Sequence, residues 1–350
     1  MQFLEKPIRL DKQIWDKGVV PLVSISCITY NHENFISDAI EGFLMQETTF
    51  PVEINIHEDA STDNTAKIIR EYEKKYPNVL FNVIYQTENQ YSKKDGSIRR
   101  IQHGRARGKY YAICEGDDYW IDPLKLQKQV NFLEENPDYI LSFTGCNFLF
   151  EEKKKIAEPV KKNIPSLASL SKEKLFFAII NDKLRIQTAS VVLRKNYLQE
   201  LKNDKKFKMG DKPVWLTFSQ FGKFHYLDEP SVVYRVSRGT ATRPESRRKK
   251  VEFKVSGFLM RFYYIKKFNY KIPNTLLKDF EKYIIDHVKL GGAYNSNLTR
   301  YLSSNTIDKI KRLEQRAPLI NKIDYYFLNP RVLAFDLKEK IVIKYSNIIK

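Results

Sequence analysis

Residues 22–44 read LVSISCITYNHENFISDAIEGFL and contain two different patterns in succession. The segment Leu22–Tyr30 is apolar and rich in β-branched residues, which is typical of a strand buried on both faces. In the segment Ile36–Leu44 the apolar residues recur three and four positions apart, as they do on one face of a helix. A strand followed by a helix is the unit from which parallel α/β sheets are built.

The same alternation of strand and helix patterns continues along the first part of the chain. Helix patterns follow Asn64 and start again at Asp122–Pro123. This order predicts a Rossmann-like α/β domain with a mostly parallel central sheet flanked by helices, and ligands at the carboxyl ends of its strands. The further strands predicted are Val52–His57, Leu80–Tyr85, Tyr110–Cys114, Ile186–Leu193, Phe224–Leu227 and Val232–Val236.

The domain organisation is predicted from where these patterns change. Residues 1–20 form an N-terminal extension, and residues 21–240 form the α/β domain, with halves at 21–136 and 137–240. The charged stretch Glu151–Lys162 is expected to be exposed, and residues 241–350 to be a helical C-terminal region. That last region holds 24 Lys and Arg against 10 Asp and Glu, so it carries most of the net charge of +18. Such a basic region favours a polyanionic partner or is simply a solvated surface.

Composition excludes two classes of protein. No run of about 18 apolar residues is present, and charged residues occupy the first 20 positions, so neither a membrane span nor a signal peptide is expected. The three cysteines, Cys27, Cys114 and Cys146, lack metal-ligand spacing and are interpreted as core residues in a reducing compartment. A cytoplasmic protein is therefore expected.

Two acidic clusters directly follow predicted strands. Glu58–Asp59 follows the second strand, and Glu115–Asp118 (EGDD) follows the fourth. Carboxylates gathered at one sheet edge repel each other unless a cation lies between them, and oxygen ligands together with a diphosphate suit Mg²⁺ or Mn²⁺. A single Asp-Asp pair is more simply a solvated turn, but two clusters at the same edge favour a divalent metal site.

Three segments, in order, resemble the signatures of the family 2 glycosyltransferases of the GT-A fold. They are VSISCITYN at 23–31, HEDASTDNT at 57–65 and GKYYAICEGDDYWIDPLKLQKQVNFL at 108–133, and a weaker match continues through QTAS at 187–190, GDKPVWL at 210–216 and VYR at 233–235. The resemblance covers about residues 21–240. It implies an inverting hexosyl- or N-acetylhexosaminyltransferase that uses a nucleotide-sugar donor, with UDP favoured, and a divalent metal, Mn²⁺ or Mg²⁺.

The resemblance also implies roles for individual residues of the donor site. Thr29 and Tyr30 would contact the base and ribose, and Asp59 would accept a hydrogen bond from the base. Asp118 would ligate the metal, and Asp117 would be shared between the ribose and the metal as in a DXD motif. Glu115 stands where many relatives have the first aspartate of that motif. Arg105, and also Arg107, could offer a guanidinium to the diphosphate, or could simply belong to a solvated basic helix.

The catalytic base implied by the resemblance is Asp211. It would take the proton of the acceptor hydroxyl as that oxygen attacks the anomeric carbon. The same residue also has the position of a helix N-cap, and both roles are compatible. Many relatives carry a histidine after VYR, which this chain lacks, so Arg235 or Arg238 could supply the positive charge instead.

Partners and alternatives follow from the same features. The expected acceptor is a glycan or lipid-linked sugar of a bacterial surface polysaccharide or glycoconjugate, and no nucleic acid is expected. The basic helices after residue 241 could associate with the inner face of an anionic membrane, or their aromatics could simply pack on the protein. A metal-dependent nucleotidyltransferase and a non-enzymatic polyanion-binding protein are the alternative functions. The membrane prediction rests on Phe258, Phe262, Tyr263, Tyr264, Phe268 and Tyr270, which alternate with Arg261, Lys266 and Lys267.

Overall fold

A computed structural model describes residues 2–93, 95–157, 167–201, 207–237, 246–290 and 296–315. The chain divides into two compact units. The first unit comprises Met1–Asp204 and Asp211–Ser237, and the second comprises Lys205–Gly210 and Arg238–Lys350.

The strands belong to the first unit and form a large sheet and a two-stranded sheet. The strands of the large sheet are β2 (Val23–Thr29), β4 (Val52–Glu58), β5 (Leu80–Tyr85), β6 (Tyr110–Ile113), β7 (Tyr119–Trp120), β8 (Tyr139–Phe150), β9 (Lys155–Ala157), β10 (Val192–Arg194) and β11 (Lys223–Val236), and β1 (Ile8–Arg9) pairs with β3 (Glu47–Thr48).

The large sheet has the order β5-β4-β2-β6-β10-β8-β11-β7, with β9 paired to β8 outside this path. Strands β5, β4, β2 and β6 are parallel, so their carboxyl ends lie at one edge. Strand β10 is antiparallel to both of its neighbours, and β11 runs parallel to β8. The predicted class, a mostly parallel sheet flanked by helices, is confirmed.

The helices follow the sequence patterns with small shifts at their ends. In the first unit they are α1 (Ile36–Leu44), α2 (Thr65–Lys75), α3 (Ser97–Arg105), α4 (Lys125–Glu135), α5 (Lys172–Ile180) and α6 (Lys212–Phe218), and in the second unit α7 (Arg247–Lys267), α8 (Asn274–Lys289) and α9 (Ser304–Gln315).

The core of the first unit lies on both faces of the parallel strands. Every residue of β4 is buried, and Ile25 and Cys27 of β2 are fully buried. Trp120 is buried and meets the Phe43 ring of α1 edge-on, with 5.0 Å between the ring centroids. The cysteines predicted to be core residues are confirmed as free and buried.

Strand β8 lies in the middle of the sheet although no sequence pattern above predicts it. Small polar residues interrupt its apolar run, and these residues find partners in the neighbouring strand β11. The Ser142 hydroxyl lies 3.0 Å from Nδ1 of His225, and the Thr144 hydroxyl lies 2.6 Å from that of Ser231. Polar side chains can be buried in a strand when they are hydrogen-bonded in this way, and they then interrupt the apolar pattern by which strands are recognised in a sequence.

Three predicted strands have different bounds in the structure. The segment predicted as Ile186–Leu193 is a strand only from Val192, because Ser190 N donates to Gln187 O and closes a 3₁₀ turn first. The two segments predicted as Phe224–Leu227 and Val232–Val236 form the single strand β11. Its register shifts on either side of Pro230, which cannot donate to the ladder.

The segment predicted as an exposed excursion, Glu151–Lys162, is described only to Ala157. It forms a 3₁₀ turn and then β9, which pairs with the end of β8. Residues 158–162 of the predicted segment lie outside the described residues.

The second unit packs its aromatic side chains inward. Phe258 and Phe262 of α7 both contact Phe280 of α8, with ring centroids 5.7 and 5.1 Å apart, and Tyr264 is fully buried. These three aromatics of the predicted membrane surface are therefore core residues of this unit. Within the described residues, no helix combines the length and the apolarity that crossing a membrane requires.

Lys125, at the start of α4, is a fully buried cation in the first unit. Its Nζ donates to Gln129 Oε1 at 2.8 Å and lies 4.3 Å from the centroid of the Trp120 ring. Burial, which penalises the charged form, lowers the pKa of Lys125 from 10.5 to about 7.

We expect Lys125 to make folding stability depend on pH between about 7 and 10. In this window the unfolded chain holds a proton that folded Lys125 has released, so stability rises with pH. The parent chain should gain on the order of 1–4 kcal/mol relative to Lys125→Met from pH 7 to pH 10. The measurement is the melting temperature of the parent and of Lys125→Met across this pH range. The control is Lys128→Met, at a partly exposed ion pair of the same helix, which should show no such trend. A difference in melting temperature between the parent and Lys125→Met that stays constant with pH would contradict the prediction.

Candidate functional site

Both acidic clusters adjoin the carboxyl end of β2. Asp59 N donates to Thr29 O at 3.0 Å, and Gly116 N donates to Ile28 O at 3.0 Å. The segments that follow β4 and β6 are thus fixed against the same strand end, as expected for parallel strands in this order.

The turn after β6 holds three carboxylates close together. Asp118 N donates to Glu115 O and closes the turn, and the Asp118 side chain is 2% exposed. Burial, followed by the charges of Asp117 and Glu115, raises the pKa of Asp118 well above its usual range. Burial, followed by the charges of Asp117 and Asp211, raises the pKa of Glu115 to about 7. The site therefore concentrates negative charge that a cation would stabilise.

Asp211 lies within electrostatic range of this turn. It is the N-cap of α6, where its Oδ1 accepts a hydrogen bond from Lys212 N at 2.8 Å, and it remains exposed. Its charge contributes to the raised pKa values of Glu115 and of Tyr234, whose pKa rises to about 12 mainly through burial. The cap predicted from sequence is confirmed, and the role as base stays a prediction.

Arg235, at the end of β11, holds the acidic turn in place. Its backbone N–H donates to Asp118 Oδ1 at 2.8 Å, and its Nη1 donates to Asp117 O at 2.9 Å. Its Nε donates to Glu151 Oε1 at 2.8 Å, and Nη2 donates to Asp38 Oδ2. The guanidinium group thus links α1, the acidic turn and the end of β8.

Aromatic rings enclose the same guanidinium group. Its carbon lies 4.9 Å from the ring centroid of Phe35 and 4.7 Å from that of Tyr119. Arg235 is buried and bound to carboxylates, so in this structure it positions the turn. Arg238, the other arginine considered for the diphosphate, lies outside the described residues.

The donor set of the acidic turn suits a metal shared with a phosphate group. Among the described residues, no three His, Cys, Asp or Glu side chains are grouped so that they could hold a metal ion by themselves. Asp117 and Asp118 offer oxygen ligands, and Mg²⁺ or Mn²⁺ commonly uses one or two carboxylates and completes its shell with phosphate and water. These oxygen ligands therefore fit the predicted metal, and the assignment of Asp117 and Asp118 as its ligands stays a prediction.

Two side chains beside the turn carry buried polar atoms that no group of the described residues satisfies. These atoms are Thr29 Oγ1 and His32 Nδ1. A methyl group at Gly116 would lie 2.7 Å from the first and 3.1 Å from the second. Thr29 is one of the residues predicted from the sequence, whereas His32 is not, because its only sequence signal is its place just after the end of β2. Tyr30 is 42% exposed at the same strand end.

Asp59 and Arg105 are both held by the protein itself. Asp59 is 1% exposed, and its oxygens accept hydrogen bonds from the backbone N–H groups of Gln90 and Tyr91 at 2.7 and 3.0 Å. Arg105 Nη1 donates to Ile56 O at 3.2 Å, in the interior of β4, and its Nη2 is buried with no partner in the described part of the chain. Their contacts with base and phosphate stay predictions.

Arg107, the second arginine considered for the phosphates, lies elsewhere. Its side chain and its backbone N–H both bind the buried carboxylate of Glu53, near the start of β4. Because β4 runs from there toward the acidic edge, this arginine belongs to the opposite end of the sheet.

Comparison with known proteins identifies the class of this fold and then the family. The structure of Staphylococcus aureus TarS residues 1–349, solved in complex with UDP-GlcNAc, superposes with a TM-score of 0.51 at 14% identity and covers 83% of this chain and 79% of that chain. The fold is therefore that of the GT-A glycosyltransferases. The family model described as glycosyl transferase family 2 matches residues 24–200, half of the chain, and the chain belongs to this family.

Relatives among curated proteins match shorter parts of the chain. An uncharacterized protein of Mycobacterium tuberculosis is 42% identical over 136 residues, which are 39% of this chain and 38% of that protein. The Escherichia coli protein named UDP-Glc:alpha-D-GlcNAc-diphosphoundecaprenol beta-1,3-glucosyltransferase WfaP is 31% identical over 131 residues, 37% of this chain and 47% of that one. The match thus spans well under two thirds of either relative.

We expect replacement of Arg235 to disorder the acidic turn. Arg235→Lys keeps the charge and the backbone hydrogen bond but cannot reach Asp117, Glu151 and Asp38 together. Metal-dependent binding of a nucleoside diphosphate, measured by calorimetry, should weaken at least tenfold. Arg107→Lys, which changes the ion pair with Glu53 at the other end of the sheet, should leave this binding unchanged. Equal binding by Arg235→Lys and the parent would refute the positioning role.

Gly116→Ala should displace Thr29 and His32 and so weaken nucleotide binding. The added methyl would lie closer to Thr29 Oγ1 and Cβ than such groups approach, so the end of β2 has to shift. The matched control is Gly104→Ala in α3, where nothing lies within 4 Å and alanine should stabilise the helix by about 0.5–1 kcal/mol. Titration with UDP and Mn²⁺ measures the effect, and unaltered affinity in Gly116→Ala would count against this site.

Proposed function

We propose that this chain transfers a sugar from a nucleoside-diphosphate sugar to a hydroxyl group of a glycan or lipid-linked acceptor, with inversion at the anomeric carbon. The observation that carries the proposal is the acidic turn Glu115–Asp118. Burial, followed by repulsion among its carboxylates, raises the pKa values of Asp118 and Glu115, and the turn adjoins the Thr29 hydroxyl, which no described residue satisfies. A metal-bound nucleoside diphosphate would supply positive charge to the carboxylates and a hydrogen-bond partner to the Thr29 hydroxyl.

The donor is proposed to be a UDP-sugar. The relative WfaP is named as a UDP-glucose-dependent enzyme, and the fold neighbour TarS binds UDP-GlcNAc. Tyr30 is exposed where the base would lie, and Asp117 is available to the ribose and the metal. The hexosyl and N-acetylhexosaminyl groups are both compatible with this donor site.

Asp211 is proposed to take the proton of the acceptor hydroxyl. The oxygen then forms a bond to the anomeric carbon while the bond from that carbon to the diphosphate oxygen breaks, which turns an α-linked donor into a β-linked product. One oxygen of Asp211 caps α6 and fixes the carboxylate, so the second oxygen remains for the acceptor. A metal ion held by Asp117 and Asp118 would supply Lewis-acid stabilisation to the departing diphosphate.

The acceptor is proposed to belong to bacterial surface polysaccharide or glycoconjugate synthesis at the inner face of the cell membrane. The name of WfaP places its acceptor sugar on diphosphoundecaprenol. Four consecutive basic residues, Arg247 to Lys250, are exposed at the start of α7 and favour an anionic surface. Because Phe258, Phe262 and Tyr264 are buried, this membrane association rests on charge alone.

The proposal is tested by thermal stability with UDP, GDP, CDP and dTDP, each with and without Mn²⁺. A nucleotide at 100 times its dissociation constant stabilises the folded state by about 2.7 kcal/mol, which raises the melting temperature measurably. We expect stabilisation by UDP with Mn²⁺, its loss in Asp118→Asn, and its retention in Asp211→Asn. Asp138→Asn, at an exposed ion pair with Lys223, is the control.

Product analysis separates this proposal from the two alternatives. With UDP-sugar and acceptor, the parent should release UDP, and Asp211→Asn should be slower by about 10²–10⁴-fold. Release of pyrophosphate would instead identify a nucleotidyltransferase. Failure of all four nucleotides to stabilise the chain would leave polyanion binding as the better account.

A further inference from the structure

The loop from Gln86 to Lys93 follows β5 and is held together by its own polar side chains. Ser92 donates through its backbone N–H and its hydroxyl to Asn89, at 2.8 and 2.7 Å. Gln90 Nε2 donates to Glu88 O, and Lys93 Nζ donates to Gln90 Oε1 and pairs with the Glu88 carboxylate. The loop thus has a defined shape that its own side chains maintain.

A buried carboxylate then fixes this loop against the donor site. Asp59 accepts hydrogen bonds from the consecutive N–H groups of Gln90 and Tyr91, and Asn89 Nδ2 donates to Asp59 O. Burial of a charged carboxylate is costly unless hydrogen bonds satisfy it, so the chain uses one to set the position of Tyr91. Asp59 N in turn donates to Thr29 O, directly before Tyr30. Two hydrogen bonds therefore connect the backbone of Tyr91 to the strand end that carries Tyr30.

The Tyr91 ring itself is left free. It is 72% exposed, and it makes no hydrogen bond or ring contact with the described part of the chain. Single exposed apolar side chains are common on protein surfaces. What distinguishes Tyr91 is that its backbone is fixed by the hydrogen bond to Asp59 while its ring has no partner among the described residues.

We propose that Tyr91 stacks on the nucleobase of the donor, opposite the ring of Tyr30. This inference rests on the proposed function, and it adds a residue that determines nucleotide affinity. The acidic turn that would hold the diphosphate follows β6, two strands from β4, or ~10 Å along the sheet edge. A nucleotide anchored there by its diphosphate reaches this loop with its base when it lies across the end of β2, which carries Tyr30.

The test is isothermal titration of the full chain with UDP, GDP, CDP and dTDP in Mn²⁺, and with Mn²⁺-pyrophosphate as a probe without a base. Removal of an aromatic ring on which a base stacks weakens binding by about 5- to 150-fold. Tyr91→Ala should therefore weaken the tightest-binding nucleotide by about tenfold and leave pyrophosphate unchanged. Tyr91→Phe, which keeps the ring, should bind like the parent. Phe3→Ala, at a 59% exposed ring, is the matched control.

The outcomes separate this inference from the proposed function. If the parent binds a nucleotide and the affinity of Tyr91→Ala for it is within twofold of the parent's, the stacking role alone is overturned. An equal loss of nucleotide and pyrophosphate affinity also overturns it, because a base-stacking residue has no effect on pyrophosphate. Absence of any nucleotide binding by the parent overturns the proposed function and the stacking role together.

Discussion

The repulsion among the carboxylates of the acidic turn is the constraint on which the site depends. Asp118 and Glu115 lie beside Asp117 at one strand end, and burial, followed by repulsion among the carboxylates, raises the pKa values of these two residues. Arg235 offsets part of this cost without entering the site, since it donates to the turn and is itself neutralised by Glu151 and Asp38. The turn keeps its shape while its charge remains available to a ligand. A free arginine in the same place would neutralise the turn and compete with a metal ion.

The parallel half of the sheet explains why the remaining parts of the site come together. Strands β4, β2 and β6 are adjacent and end at the same edge, so segments far apart in sequence adjoin the end of β2. The backbone hydrogen bonds of Asp59 to Thr29 and of Gly116 to Ile28 make this junction specific. Gly116 is required there because a side chain would fill the space beside the Thr29 hydroxyl.

Sequence patterns predicted this half of the fold well because its strands are continuous apolar runs and its helices have one apolar face. They did not predict β8, whose Ser142 and Thr144 are satisfied by residues of β11 that lie 83 and 87 positions away. The contacts of Arg235 could not be predicted from the sequence either. Its partners Asp38 and Glu151 are 197 and 84 residues distant in sequence, so the residue could be taken for a phosphate ligand. The acidic residues were predictable because they directly follow strands.

The hydrogen bonds of Asp59 make the loop after β5 and the end of β2 a single mechanical unit. The loop has its own internal bonds and is joined to the end of β4 and the residue after it through this carboxylate, the Asn89 amide and the hydrogen bond from Gln86 N to Glu58 O. The acidic turn is joined to β2 by a different bond, from Gly116. The two attachments are independent, so the sequence of residues 86–93 can diverge while the turn stays the same. A change in the loop then alters the surface beside Tyr30 and leaves the acidic turn in place.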